Sequence, residues 1–250
     1  MKEIIRDMLE EFAVFEIPGK FIRVGSANDG GYVIVKDLLP LCPKLYSFGI
    51  GDNADFEADL LPQLQPDATA DLYDPDPFLE GLPKDIPGAT FHRDSLSALP
   101  KLPAPKNSFL KIDVEGAEWD LFRQGDILNT FRPFSQVVIE LHFFHAVSPS
   151  GLSQYFTSVY QNHANRLNKE FFGQCWFALM ALNGLFRLVH FHVNNSLPRM
   201  KLAGIQFPPL MELTFVRQDL ISDARRLDYF PVFSELDQPN KLDRPNYYFI

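Results

Sequence analysis

The chain has 250 residues, nearly half of them apolar, which suffices for one large α/β domain or two small ones with a sizeable buried core. Its formal net charge is −9 and it carries no basic block, which argues against a surface built to bind phosphate backbones. No run of about 18 apolar residues is free of charges, so no transmembrane span is expected; two distant cysteines, Cys42 and Cys175, make neither a disulfide framework nor a zinc site.

The N-terminus mixes charged and apolar residues at helical spacing, so residues 1–15 read as an amphipathic helix rather than a signal peptide. A reducing, cytoplasmic setting is expected. Phe21–Gly25 and Gly31–Val35 read as strands of a hairpin, joined by Ser26-Ala27-Asn28-Asp29-Gly30, whose Asn, Asp and Gly tolerate positive φ. Strands then alternate with helices. Strands are expected at Leu45–Ile50, Thr69–Tyr73, Ala89–His92, Ser108–Ile112 and Gln136–Leu141. Helices are expected at Asp55–Gln63, in a Pro-rich piece after Tyr73, and at Ala117–Gln124. Such alternation implies crossover connections and a mainly parallel sheet. Two helices, about 152–168 and 170–183, precede a late strand pair near Leu185–Val193 and Met211–Arg217, which can close the sheet edge antiparallel. The division is thus 1–40 (helix and hairpin), 41–142 (the half that binds a ligand at the sheet), 143–217 (later helices and the last strands) and 218–250 (an extended cover).

Three segments place chemistry at the carboxyl ends of strands, where open α/β sheets bind ligands. In Ser47-Phe48-Gly49-Ile50-Gly51, the glycines allow close approach to the backbone. About 20 residues on, Asp71-Leu72-Tyr73-Asp74-Pro75-Asp76 offers a carboxylate at the offset where nucleotide-binding sheets hold ribose hydroxyls; Asp74, which ends the strand, is preferred. No full dinucleotide fingerprint is present, which counts against a nicotinamide cofactor. In Lys111-Ile112-Asp113-Val114-Glu115-Gly116-Ala117-Glu118, Asp113 sits at the sheet edge, and Glu115 and Glu118 also read as acids near a helix start.

The Lys111–Glu118 block resembles the signature of FkbM-like methyltransferases. Arg23-Val24-Gly25 with Asp29-Gly30-Gly31-Tyr32-Val33, Ser47–Gly51, Phe191–Asn195 and Met211–Arg217 resemble a methyltransferase-like subgroup of them. The resemblance implies a Rossmann-like, seven-stranded, mainly parallel α/β sheet with S-adenosylmethionine as methyl donor. It implies an oxygen acceptor, often a sugar hydroxyl, free or on a nucleotide-activated sugar or glycan; the acidic balance, separately, argues for no nucleic acid as partner. It assigns Gly49 and Gly51 to the methionine part of the donor, Asp74 to the ribose, and the Phe91–Ser95 stretch, with Asp94 and Ser95, to the adenine. Ser47 stands where many methyltransferases carry an acid, so the groups meeting the amino and carboxylate ends stay open. Arg23 and the Asp29-Gly30-Gly31 turn are the candidates, since a guanidinium and backbone N–H groups suit a carboxylate.

Glu140 and His142 share one strand face, as do His190, His192 and Asn194. Methyl transfer to an alcohol needs a positioned proton acceptor. Asp113, Glu140 and His142 are the candidate catalytic groups. Asp113, Glu140 and either His192 or His142 are expected to converge in one pocket, with His192 as the later histidine of an O,O,N site for Mg²⁺, Mn²⁺ or Fe²⁺. His163 reads as a surface residue and His145 as borderline. Phe171, Phe172, Trp176 and Phe177 read as helix core, or as the wall of an acceptor pocket or a homodimer face. The competing readings are a nicotinamide-dependent oxidoreductase and a catalytically silent binding module on the same fold.

Overall fold

A computed structural model of the chain describes residues 2–75, 86–123, 126–143, 169–202, 204–228 and 235–245. The Pro-rich piece after Tyr73, the helix expected at 152–168, His145 and His163 lie outside them or reach them only in part.

In chain order the helices are α1 (Lys2–Glu10), α2 (Asp55–Leu60), α3 (Glu118–Arg123), α4 (Ile127–Phe131) and α5 (Lys169–Leu185). The strands are β1 (Phe15–Glu16), β2 (Phe21–Gly25), β3 (Gly31–Val35), β4 (Lys44–Phe48), β5 (Thr69–Tyr73), β6 (Ala89–His92), β7 (Ser108–Ile112), β8 (Phe134–His142), β9 (Phe186–Val193), β10 (Met200–Leu202), β11 (Ile205–Phe207), β12 (Leu210–Arg217) and β13 (Arg225–Arg226). Seven of them form one sheet in the order β6-β5-β4-β7-β8-β12-β9. Neighbours from β6 to β8 run parallel, and β12 runs antiparallel to both β8 and β9. The expectation of a mainly parallel seven-stranded sheet holds. The late strands pair antiparallel and close the sheet edge as expected, with β12 lying between β8 and the edge strand β9.

The central strands are buried along their whole length, as parallel strands between helix layers must be. On one face α1 buries Ile5 and Met8, and α5 buries Phe171, Phe172, Cys175, Ala178, Leu179 and Leu182 at helical spacing. The expected core role of Phe171 and Phe172 is therefore observed. Trp176 is only partly buried, where its indole donates to Glu11 at 3.2 Å, and Phe177 is 64% exposed. The other face is covered by α2 and the β2–β3 hairpin, with Val24, Tyr32, Ile34, Phe56 and Leu60 in one cluster with Leu45, Leu72 and Phe109.

The hairpin is anchored by side chains of the sheet. Gln136 on β8 accepts from Val35 N at 2.7 Å and donates to Val35 O at 3.2 Å, while Thr214 on β12 donates to Val33 O at 2.5 Å. All three contacts are buried, so each partner left alone would keep its desolvation cost. Gln136→Leu should accordingly destabilise the protein by roughly 2–4 kcal/mol in chemical denaturation, since two buried backbone groups lose their partners. A loss below about 0.5 kcal/mol would mean that the hairpin docks by apolar contact alone.

Candidate active site

A cleft of about 520 Å³ opens at the carboxyl edge of β4, β5 and β7. Its form starts with two glycines. Gly49 (φ 79°) directly follows β4, its N–H donates to Tyr73 O at 2.9 Å, and a Cβ built on it would overlap the carbonyl oxygen of Asp113. Gly51 (φ 60°) faces open space, and its N–H donates to Asp74 Oδ2 at 3.1 Å. Asp74 is thereby held at the end of β5 with its carboxylate on the cleft. Asp71 is turned elsewhere, to Lys44 at 2.6 Å and His92 at 3.2 Å, which explains why only one of the two acids lines the cleft.

Of the residues expected to hold a cofactor, Asp29, Gly30, Gly49, Gly51, Asp74, Asp94 and Ser95 line this cleft. Arg23 and Gly31 do not. The Arg23 guanidinium donates to Asn28 O at 2.5 Å and Ser26 O at 3.4 Å, so it closes the hairpin turn from behind; a Cβ on Gly31 would collide with it. The same Cβ would come within 2.2 Å of the Ser26 carbonyl oxygen, so the glycine at 31 is required first by the backbone of its own turn; the expected guanidinium–carboxylate contact has no support from this placement.

Two buried charges that sequence reasoning did not single out line the same cleft. Glu57 on α2 is 1% exposed, and its Oε1 accepts from Ser47 Oγ at 2.5 Å, while Oε2 has no hydrogen-bond partner among the described residues. Lys111 on β7 is 4% exposed and donates to Gly49 O at 2.5 Å, with Asp113 Oδ2 3.8 Å away. The signal was present in part. Ser47 and Lys111 are level on neighbouring strands, and Glu57 lies ten residues after Ser47, one strand-to-helix turn away.

Beyond Lys111 the sheet edge is crowded with acids. The register Ile112↔Ile139 puts Asp113 level with Glu140, and Glu140 is level with Glu212, which is level with His192. His142 Nε2 lies 3.7 Å from Asp113 Oδ1, 3.7 Å from Glu115 Oε2 and 3.9 Å from Glu140 Oε1. Its Nδ1 faces Glu118 Oε1 at 3.3 Å. Burial favours the neutral ring, but the charges of Glu118, Glu140 and Asp113 prevail and push its pKa up to about 10. Burial first, then Asp113, raises Glu140 well above the ordinary carboxylate range. Asp113 is the member of this group, with Glu115, that faces the cleft, and Tyr32 donates to its Oδ2 at 2.9 Å. Asp113, Glu140 and His142 therefore do meet.

The expected grouping of Asp113 and Glu140 with His192 does not form. His192 Nδ1 pairs with Glu212 Oε2 at 3.0 Å, and Glu140 accepts from Asn194 at 2.8 Å. The cause is β12, which separates β9 from β8 by a full strand. The donor atoms that converge are those of Asp113, Glu115 and His142.

Counted along the chain, the sheet strands run 3-2-1-4-5-7-6 with the seventh antiparallel, which is the Rossmann-like sheet of S-adenosylmethionine-dependent methyltransferases. Residues 89–167 match the family model described as the methyltransferase FkbM domain, so the resemblance drawn from the Lys111–Glu118 block is shown. A search of curated proteins finds no match. Solved structures with similarity include the Methanococcus jannaschii fibrillarin pre-rRNA processing protein, with 10% identity over 80% of this chain and 83% of that one and a TM-score of 0.44. They also include the O-methyltransferase TomG of Streptomyces achromogenes, solved with S-adenosylmethionine, with 15% identity, 73% and 78% coverage and a TM-score of 0.41. A third is an rRNA methylase from Streptococcus thermophilus, with 10% identity, 73% and 90% coverage and a TM-score of 0.38. Among the described residues, no helix is long and apolar enough to cross a membrane.

Two outcomes check the geometry. Gly49→Ala should prevent stable folding, because the added Cβ meets backbone, whereas Gly51→Ala should cost only about 1 kcal/mol for its positive φ. Equal destabilisation by the two would contradict the packing described. For His192, burial favours the neutral ring, yet the Glu212 charge and hydrogen bond raise its pKa above the ordinary 6.5. The pair then stabilises the fold fully below 6.5, and its contribution is lost as pH rises through the raised value. Glu212→Gln should cost more stability at about pH 6 than in alkaline solution; the same cost at both would remove the ion pair from the account.

Proposed function

We propose that this chain is an S-adenosylmethionine-dependent O-methyltransferase whose acceptor is a hydroxyl of a neutral small molecule, a sugar foremost. The observation that carries this reading is the continuous arrangement along one sheet edge: a glycine-lined cleft with Asp74 at one end and Asp113 at the other.

The residues present fit the donor. Asp74 suits two ribose hydroxyls as a buried acceptor, with Asp94 and Ser95 beyond it toward the adenine. Lys111 and Glu57 offer a buried cation and a buried anion on either side of Gly49, which matches the zwitterionic head of an α-amino acid. That pair takes the place of Arg23 in the reading, and Glu57, held by Ser47, supplies the acid that the strand itself lacks. When bound, the donor presents a methyl group on a positively charged sulfur. The acceptor oxygen bonds to that methyl carbon, the carbon–sulfur bond breaks with its electron pair left on sulfur, and the hydroxyl proton must leave. Asp113 faces the cleft with a free approach to that proton, and Tyr32 orients its carboxylate. His142 stands behind Asp113, with Nδ1 against Glu118 and Nε2 turned toward Asp113 and Glu115, so it positions that carboxylate rather than acting as the base.

Seven carboxylates (Asp29, Asp52, Glu57, Asp74, Asp94, Asp113, Glu115) line the cleft against one lysine. That balance favours a cationic donor and a neutral acceptor over a polyphosphate chain. It supports a free sugar or glycan hydroxyl ahead of a nucleotide-activated sugar.

Calorimetry with S-adenosylhomocysteine tests the reading. Micromolar binding is expected, worth roughly −7 to −9 kcal/mol, and Asp74→Ala should weaken it by about 1.5–3 kcal/mol. Glu57→Gln, which keeps the bond to Ser47, should weaken S-adenosylhomocysteine about tenfold but leave methylthioadenosine, which lacks the amino-acid head, unchanged. Folded protein that binds neither compound would overturn the proposal, and equal losses for both would remove Glu57 from the head site.

A further inference from the structure

Three of the side chains at the acidic end are spaced for a purpose that the cleft's fit to a methyl donor does not require. One donor atom each from Asp113, Glu115 and His142 lies within 4.8 Å of the other two. A six-coordinate Mg²⁺-type ion, with bonds of about 2.1 Å, places neighbouring ligands about 3 Å apart and opposite ones about 4.2 Å apart. The separations of 3.7 Å from His142 Nε2 to Asp113 and to Glu115 fall inside that span.

The surroundings hold these groups in place. Glu118, at 0% exposure, accepts from His142 N at 2.7 Å with Oε1 and from Gly116 N at 2.9 Å with Oε2. One buried carboxylate thus fixes both the end of β8 and the turn that carries Glu115. The same Oε1 faces His142 Nδ1, so the ring presents Nε2 to Asp113 and Glu115. A carboxylate behind an imidazole is the arrangement that orients metal-ligating histidines and sets their tautomer. His142 is 2% exposed, whereas Asp113 and Glu115 line the cleft, so an ion between them would have its open positions on the cleft side.

We propose that Asp113, Glu115 and His142 bind one divalent cation, Mn²⁺ or Mg²⁺, with Glu118 as the positioning residue behind the histidine. Two carboxylate oxygens and one imidazole nitrogen suit these hard ions better than a thiolate-seeking metal. The ion site stands on the side-chain geometry alone. Its use, to hold the acceptor hydroxyl oxygen against the methyl group, rests on the function proposed above.

The test uses the full chain after exhaustive chelation, titrated with Mn²⁺ alone and followed by calorimetry and by the paramagnetic resonance signal of free Mn²⁺. One Mn²⁺ per chain is expected, displaceable by excess Mg²⁺. Glu115→Gln, at an exposed position where folding is not at stake, should weaken Mn²⁺ at least about tenfold, and His142→Gln should abolish specific binding. S-adenosylhomocysteine binding is measured on the same samples. A wild-type chain that binds S-adenosylhomocysteine but no Mn²⁺, or binds Mn²⁺ as well after Glu115→Gln, overturns the metal site. Mn²⁺ binding with loss on Glu115→Gln but no S-adenosylhomocysteine binding supports the metal site while sinking the methyl-donor reading.

Discussion

Gly49 has no room for a side chain, and the site depends on that fact. The backbone of Asp113 passes where a Cβ would sit, the Asp113 N–H reaches Phe48 O at 3.0 Å, and Lys111 caps the Gly49 carbonyl. Two neighbouring parallel strands therefore end in contact, and the chain leaves them in opposite directions: Ile50-Gly51 toward β5 and Asp74, and Val114-Glu115-Gly116 toward β8 and His142. The cleft lies between these two departures. Any residue but glycine at 49 would separate Asp113 from β4 and with it the two halves of the site.

The second organising feature is an uneven distribution of charge across the sheet. Asp113, Glu140 and Glu212 are brought level at one edge by strand register, and few cations answer them: Lys111, His142 and His192. Burying carboxylates this close is unfavourable unless they are protonated, hydrogen-bonded or paired. Each has a different solution. Glu140 accepts from Asn194 and is pushed toward its neutral form, Glu212 shares His192 and Asn240, and Asp113 takes Tyr32 and the approach of His142. The C-terminal segment contributes to this cover, since Asn240 bridges Glu212 and Asp29, and Asp237 meets His190 at 2.9 Å. Local stability is here given up for an electrostatic environment that attracts positive charge, a trade found at functional sites.

Much of this was legible in the sequence. The hairpin strands, β5, β6 and β7 fall where alternation and turn residues place them, and Asp74 was separable from Asp71 because it ends the apolar run. The features that escaped depend on contacts between distant residues. Glu118 reads as an acid favouring a helix start, and only the fold brings it to His142, 24 residues on. Glu57 draws no notice in the sequence, and only the fold sets it against Ser47. The partners of His192 are hidden because insertion of β12 between β8 and β9 leaves no mark on either strand. Arg23, suited to a carboxylate by its chemistry, is consumed by carbonyls of its own turn. The short pairs β1–β13 and β10–β11 carry too few residues for any periodic signal.

The most direct test is a crystal structure of the chain with S-adenosylhomocysteine. The account predicts the ribose hydroxyls on Asp74, the amino-acid head between Lys111 and Glu57, and the sulfur turned toward Asp113. A nucleoside lying elsewhere, or one in this cleft with its sulfur turned away from Asp113, would contradict it.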